Sequence, residues 1–424
     1  MKILWLNAGL LLPLDKGGKL RTWHLMRHLA SHHEITYVSF CAPDHRPADR
    51  DGMRAVCRRL ETVPLADTPK GTLRFRVEAA AHLLSPLPYA IGKYRSSGFR
   101  KVVRDLLERE RFDLIVCDFL FPAVNLPRRL PCPAVIFTHN VESEIWRRHA
   151  ETKENWLARA LFRLQARRMV RYESRVLARF DLILAVSEAD RDTFRALYGP
   201  RVSAPIHVVP TGVDTEYFHP MPETPVDAAH LVFTGSMDWL PNEDGMLYFV
   251  RDILPRIRRE EPDVTVSIIG RAPTPAVRRL AQESGVEVTG RVDDVRPHVA
   301  RGGVYVVPLR IGGGTRIKIF EAMAMGRAVV STTIGAEGLP VRDGHDIVLA
   351  DDPERFADAA VGLIRDAAAR AALATAARQT VEGYAWPFVA RNLDTALHAA
   401  ATRQPQGVVH PLSATATGGA DSRG

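Results

Sequence analysis

Short apolar runs of strand length alternate with amphipathic segments along almost the whole chain. KILWLN, EITYVSF, FDLIVCD, PAVIFTH, DLILAVS and IHVVP form a first series. HLVFTGS, VTVSIIG, VEVTG, GVYVVPL, AVVSTT and IVLA form a second, beginning at His230. Runs that are apolar throughout, not on every second residue, suit strands buried on both faces. The segments between them, such as Gly18–Ser31, Gly98–Glu110 and Ala189–Leu197, carry apolar residues at helical spacing. This alternation predicts parallel sheets wrapped by helices, in two doubly wound α/β domains joined in tandem.

The joint falls at Val213–Ala229, a stretch with three prolines and no clear periodicity. The expected division is a first domain over 1–212, a linker over 213–229 and a second domain over 230–381. A last helical segment over 382–402 follows, packing back on the first domain, and then a Ser/Thr/Gly/Ala-rich tail over 403–424 that reads as disordered. Ligands of such sheets bind beyond the carboxyl ends of the strands, so two facing domains place a ligand in the cleft between them.

Composition narrows the class. At 424 residues, with 46% hydrophobic and 25% charged residues, the chain is sized for two or three globular domains. No apolar run approaches the roughly 20 residues of a membrane span. The opening KILWLNAGLLLPL has one Lys and runs into an Asp-Lys-Gly-Gly turn, so it reads as a first strand and not as a signal peptide. A cytoplasmic location follows as the expectation. Cys41, Cys57, Cys117 and Cys132 have no C-x-x-C spacing and read as buried free thiols, with no metal site.

The net charge of +8 suits nucleic acid, an anionic membrane face or phosphorylated substrates. Arg159, Arg163, Arg167, Arg168, Arg171, Arg175 and Arg179 recur at helical spacing, with Leu161, Leu164, Met169, Val176 and Leu177 between them. Such a helix is either an ordinary solvated face or a peripheral contact with the acidic inner face of a membrane. It lacks interleaved stacking aromatics and a helix-turn-helix or zinc signature, so nucleic acid is not expected as a partner.

The most specific stretch is PLRIGGGTRIKIFEAMAMGRAVVSTTIGAEGL, Pro308 to Leu339. Gly312, Gly313 and Gly314 leave backbone N–H groups accessible, and Thr315 is placed to cap the following helix. The helix start favours an anion, Arg316 and Lys318 add two positive charges, and Glu321 can accept hydrogen bonds from sugar hydroxyls. A diphosphate beside a ribose suits this arrangement. Other strand ends give weaker signals. Gly17 and Gly18 lie between a strand and a helix and can face a phosphate or an acceptor hydroxyl, or form an ordinary turn. His139, at the end of PAVIFTH, can bond a substrate hydroxyl or serve only as a structural histidine. Ser187 reads as a helix cap. Gly235-Ser236, Gly270-Arg271 and Gly290-Arg291 end strands of the second series, and the last two can wall a base or form plain turns.

GGGTRIKIFEAMAMGRAVVST resembles the donor-site signature of retaining nucleotide-sugar glycosyltransferases of family 4, which have the GT-B fold of two Rossmann-like domains facing across a cleft. Gly17-Gly18, the THN of Thr138–Asn140, FDLILAVSEADR, VVPTGVD, LVFTGSMDW and VEVTGRVDDVRPHVARGGVYVVPL are similar to further blocks of that family, in the same order. The resemblance covers about Met1 to Ala401.

It implies a cytosolic or membrane-peripheral enzyme that moves a sugar from a nucleoside-diphosphate sugar to a sugar or lipid-linked acceptor, in cell-surface polysaccharide or glycolipid synthesis. It also implies retention of configuration, no metal and no other cofactor. By the same resemblance Glu321 binds the ribose, His139 touches the donor sugar, Gly17 and Gly18 sit by diphosphate and acceptor, and Gly312–Thr315 line sugar and phosphate. The sequence departs from the family twice. Gly313 stands where the E-x7-E pattern has its first Glu. Ser236-Met237-Asp238 and Asn242 stand where an Arg and a Lys often follow the first strand of the second domain. Arg316 and Lys318 are expected to supply the missing charge. The rival readings are a sugar-nucleotide epimerase or a phosphorylase of the same fold, and a non-catalytic sugar-nucleotide-binding protein.

Overall fold

A computed structural model describes residues 1–14, 17–43, 45–65, 72, 85–151, 155–311 and 316–403. Asp15, Lys16, the Gly312–Thr315 run and the C-terminal tail lie outside the described residues.

Two all-parallel sheets form the frame. The first has seven strands: β1 Lys2–Asn7, β2 Glu34–Cys41, β3 Arg59–Pro64, β4 Leu114–Asp118, β5 Ala134–Phe137, β6 Leu182–Ala185 and β7 Ile206–Val208. Their order is β3-β2-β1-β4-β5-β6-β7. The second has six: β8 Asp227–Thr234, β9 Thr265–Ile269, β10 Val286–Gly290, β11 Gly302–Val307, β12 Ala328–Ser331 and β13 Val348–Leu349, in the order β10-β9-β8-β11-β12-β13. This is the GT-B arrangement. Each sheet reverses its strand order once, between β1 and β4 and between β8 and β11, and each reversal opens a crevice at the carboxyl ends.

The inner strands are apolar because both faces are covered: β4, β5, β6, β11 and β12 are buried at every residue. β3 is different and is not evident in the sequence pattern. It is an edge strand, its outer positions are part-exposed, and Arg59 pairs with Glu61 along it at 2.7 Å. Charge of this kind is what an edge tolerates and a central strand does not.

Helix ends depart from the sequence reading in three places. Gly17 and Gly18 form the first turn of the helix Gly17–Leu29 and are not a loop ahead of it. The last helical segment does not start at Glu382, which closes the helix Ala367–Glu382; a break follows, and the final helix is Trp386–Ala401. The sequence predicts a helix around Asp244–Ile253 after β8; the helix begins earlier, at Leu240, and passes into a π-helical turn at Phe249–Ile253.

The chain crosses between the domains twice, side by side. Val213 N–H donates to Tyr384 C=O at 2.9 Å and Trp386 N–H donates to Val213 C=O at 3.2 Å. The final helix then packs on the helix Gly17–Leu29, and Trp386, Val389, Leu393 and Leu397 join the core of the first domain. Trp386 is buried and stacks on His24, ring centroids 5.1 Å apart and planes 2° from parallel. Replacing Trp386 by Ala leaves a cavity where the crossing meets the first core. The expected loss is about 3–5 kcal/mol, read as an earlier chemical-denaturation transition, with W386F retaining most of the stability.

Candidate active site

On the first domain the site is built around Asp118, the last residue of β4 and fully buried. Its Oδ2 accepts hydrogen bonds from Asn7 Nδ2 (2.7 Å), Thr22 Oγ1 (2.8 Å) and Trp5 Nε1 (3.2 Å). Its Oδ1 accepts from His139 Nε2 at 2.7 Å. Two strands and a helix are thus tied to one carboxylate at the point where the strand order reverses.

His139 lies two residues past β5 and is also buried. Donation from Nε2 to Asp118 leaves the Nδ1 lone pair for the cleft. Burial lowers its pKa, aided by the nearby Arg21 cation and opposed by Asp118. The ring is therefore a neutral acceptor near pH 7. Phe119 stacks on it, centroids 3.8 Å apart and planes 7° from parallel. The Phe119 backbone is left-handed, φ 70°, a conformation that costs a non-glycine residue and persists where the surroundings impose it. Gly18 covers this stack. A Cβ there would fall 2.8 Å from Phe119 Cζ and 3.7 Å from His139 Nδ1, so a side chain would press on the ring pair.

The loop carrying His139 is fixed from behind. Glu173, buried on the helix Trp156–Leu177, accepts from the N–H groups of Glu142 (3.1 Å) and Ser143 (3.2 Å), the first turn of the helix Glu142–Glu151. Tyr198 OH donates to the same carboxylate at 2.6 Å. Arg21 is buried beside the cluster, its guanidinium 4.5 Å over the Phe137 ring and hydrogen-bonded to the Val209 carbonyl. Burial lowers its pKa to about 9, although Asp118 and Asp190 act the other way.

On the second domain the helix Ile317–Ala324 starts at the crevice, with Arg316 as its N-cap residue. Thr315, the cap expected from the sequence, lies outside the described residues. Lys318 Nζ donates to Asn242 Oδ1 at 2.8 Å and sits 4.0 Å from the centroid of Phe233. Gly235, just past β8, makes room for this contact: a Cβ there would lie 2.6 Å from both Lys318 Nζ and Asn242 Nδ2. Asn242 is anchored in turn by donating to the Ser236 carbonyl at 2.9 Å. Burial and the adjacent Arg316 lower the Lys318 pKa to about 7, against the pull of Glu321. Burial raises Glu321 to about 7, against Lys318. Arg316 is buried with its guanidinium 5.0 Å over the Trp239 ring; burial lowers its pKa to about 10, and Glu337 opposes this.

The two halves meet. Ile317 Cδ1 comes within 3.5 Å of where a Cβ on Gly17 would stand, so the two helix starts are apposed across the cleft. Arg148 of the first domain pairs with Glu337 of the second at 3.2 Å.

Of the residues singled out in the sequence, Gly17, Gly18 and His139 come together in the first half. Gly235, Ser236, Arg316, Lys318 and Glu321 come together in the second. Gly290 approaches through the backbone, its carbonyl accepting from Gly270 N–H at 3.0 Å. Arg291 is exposed, outside this cluster. Gly312, Gly313 and Gly314 lie outside the described residues. Asp118, Asn7, Thr22 and Arg21 were not evident in the sequence, and Asn242 stood out there only as a departure from the family pattern. The signal for Asp118 was available: an acid closing an otherwise apolar buried strand.

Comparison with known proteins agrees with this architecture. The family model for Glycosyltransferase Family 4 matches residues 16–217, and that for Glycosyl transferases group 1 matches residues 228–366. The D-inositol 3-phosphate glycosyltransferase 1 of Catenulispora acidiphila is 29% identical over 237 residues, 50% of this chain and 56% of that protein. The phosphatidyl-myo-inositol mannosyltransferase of Mycolicibacterium smegmatis is 29% identical over 194 residues, 44% of this chain and 50% of that protein. The chain thus spans about half the length of these two curated relatives. The crystal structure of Anabaena HepE with UDP and glucose superimposes with a TM-score of 0.63 at 17% identity, covering 94% of this chain and all of that one. Matched in both halves, one domain by each model, the chain belongs to the family 4, or group 1, glycosyltransferases.

Proposed function

We propose that this protein transfers a sugar from a nucleoside-diphosphate sugar to an acceptor hydroxyl, with retention of anomeric configuration and without a metal ion. The observation that carries the reading is the apposition of the two helix starts: Ile317, flanked by the buried Arg316 and the part-buried Lys318, both basic, lies against Gly17, whose neighbour Gly18 covers His139. Cations withdrawn from water act strongly on charge that develops beside them.

In the proposed step the bond between the anomeric carbon and the diphosphate oxygen breaks. The acceptor oxygen bonds to the same face of that carbon, and its proton passes to the departing phosphate. Arg316 and Lys318 hold the growing negative charge, so no divalent ion is invoked. Glu321 takes the ribose hydroxyls. His139 Nδ1 accepts a hydrogen bond from a donor-sugar hydroxyl near the reacting carbon, with Asp118 fixing its tautomer. Gly17 and Gly18 allow diphosphate and acceptor to approach the first helix, and Gly235, Ser236 and Gly290 border the nucleoside. The role of Gly312–Thr315 at sugar and phosphate rests on the sequence signature. UDP- or GDP-linked sugars are the donors to screen, by thermal stabilisation and by transfer assay; the absence of both effects with every donor would overturn the reading.

We place the acceptor at a membrane, in cell-surface polysaccharide or glycolipid assembly. The support is the first half of the helix Trp156–Leu177. Trp156 is 73% exposed and Leu157 59%, and Leu161 and Leu164 follow on the same side among Arg163, Arg167 and Arg171. An apolar ridge flanked by cations suits an anionic lipid surface. No helix among the described residues is long and apolar enough to cross a membrane. Vesicles with anionic lipid should sediment the protein and neutral ones should not. L161E and R163E/R167E should each release it, as should high salt.

Two predictions address the cleft. Lys318 has a pKa near 7 in place of 10.5, so at pH 8 the free protein holds it largely neutral. A diphosphate stabilises the charged form, so binding takes up a proton, and affinity falls as pH rises above 7, by at most about tenfold per unit. Calorimetry of UDP and GDP in buffers of different ionisation enthalpy should show this uptake at pH 8, and K318M should abolish it. Asp118→Asn should lower kcat about 10²-fold or more, by the loss of imidazole orientation. Donor affinity should change little, because the cations are on the other domain.

A further inference from the structure

Away from the cleft, the final helix and the first domain share a cluster that the transfer reaction does not use. His33, in the turn before β2, has its ring in the first domain with only 2% of its side chain exposed. Its Nε2 lies 2.7 Å from Asp394 Oδ1, and His398 Nδ1 lies 3.0 Å from the same oxygen. The three ligand atoms all fall within 4.8 Å of one another. Among the described residues this is the one grouping of three His, Cys, Asp or Glu side chains that converges in this way.

We propose that His33, Asp394 and His398 bind a divalent transition-metal ion, with Zn2+ the natural occupant. Two imidazoles and one carboxylate form a ligand set suited to it, with water completing a tetrahedron. In a tetrahedral site with bonds of 2.0–2.1 Å the ligand atoms stand about 3.3 Å apart. The two separations from Asp394 Oδ1, 2.7 and 3.0 Å, must open by about 0.6 and 0.3 Å, and the two imidazole nitrogens, within 4.8 Å of each other, adjust through the exposed His398 side chain. Asp394 and His398 are four residues apart on one helix face, so their ligand atoms are presented together on successive turns. Burial differs in a useful way: His33 is enclosed, Asp394 is 31% exposed and His398 is 55% exposed at the side chain. The ion therefore has a fixed inner ligand and an open outer approach.

The surroundings set the proton balance. His398 Nδ1 also lies 3.0 Å from the Asp394 backbone carbonyl, and metal binding replaces that hydrogen bond. The Nδ1 proton moves to Nε2, which faces away from the ion. On His33 the other ring nitrogen, Nδ1, is 3.2 Å from the Met1 amine; with the ion on Nε2 the ring carries its proton on Nδ1, so Met1 must give up its own extra proton and accept from Nδ1–H as a neutral amine, releasing one proton on binding. Bound metal would join the chain start, the turn before β2 and the last helix. It would pin to the first domain the segment that returns from the second.

The test uses the 424-residue chain beginning at Met1, without a polyhistidine tag. Zn2+ should bind with a micromolar or tighter Kd by calorimetry and raise the Tm by a few degrees at saturating excess. Co2+ should give a visible d–d absorption band of tetrahedral intensity. His398→Ala, at an exposed position whose loss leaves the fold intact, should weaken binding at least tenfold and remove the band; Asp394→Asn should do the same. Absence of Zn2+ stabilisation in the wild type, or equal binding by H398A, would overturn the proposal and leave Asp394 a plain hydrogen-bond acceptor for two imidazoles.

Discussion

A single buried acceptor organises the first half of the cleft. Asp118 has no contact with water, so its oxygens must be satisfied by protein donors, and four are supplied by Trp5, Asn7, Thr22 and His139. Leaving such a group or its donors unpaired costs about 1–3 kcal/mol each. This requirement fixes more than one side chain. Thr22 can reach Asp118 only if the helix Gly17–Leu29 enters with that face toward the sheet, which brings Gly17 and Gly18 over the end of β4. His139 can reach it only if the chain leaves β5 toward β4. The left-handed turn at Phe119 directs the strand end away and returns its ring onto the imidazole. The glycines, the stacked ring and the available Nδ1 all follow from the placement of that carboxylate.

The second half solves a different problem. A diphosphate needs positive charge, yet the turn after β8 supplies Ser236 and Asn242 in place of cations. Lys318 crosses from the start of the helix Ile317–Ala324 into that turn, where Gly235 is small enough to admit its amino group and Asn242 Oδ1 accepts a hydrogen bond from it. The charge is thus delivered to the same place from the opposite wall. Its cost is visible in the lowered pKa of Lys318 and the raised pKa of Glu321, since burial disfavours both charged forms. An arriving polyanion favours the ammonium. The site is assembled in a state that its ligand improves.

How much of this the sequence carried depended on the range of the interaction. Apolar alternation along the chain was enough for two parallel sheets, because burial on both faces imprints on consecutive residues. β3 escaped because an edge strand does not need that pattern. His139, Arg316, Lys318 and Glu321 stood out through local context, a strand end or a glycine run. The partners that give them chemistry did not. Asp118 lies 96 and 113 residues from Thr22 and Trp5, and Asn242 lies 76 from Lys318. Such pairings arise from strand order, and one sequence does not display strand order. Arg21 shows the same limit: nothing in KLRTW marks it for burial, and its seat over the Phe137 ring against the Val209 carbonyl, 188 residues away, is what encloses it.

The joining of the domains bears on how the two halves work together. Only two backbone crossings link them, and these lie side by side, hydrogen-bonded through Val213, Tyr384 and Trp386. Two parallel crossings resist twisting more than a single linker does, while leaving one axis free for bending. The final helix extends the far crossing into the first core, so this helix belongs to the first domain and the crossing itself is confined to the residues just before it. Among the described residues the cleft is bridged by Ile317 against Gly17 and by the Arg148–Glu337 pair, whose partners are half exposed so that their attraction is screened by water. Weak closure contacts opposite a stiff joint let a bound ligand decide how far the cleft shuts. With the basic residues on one domain and the imidazole on the other, the proposed donor would touch both and so favour the closed cleft.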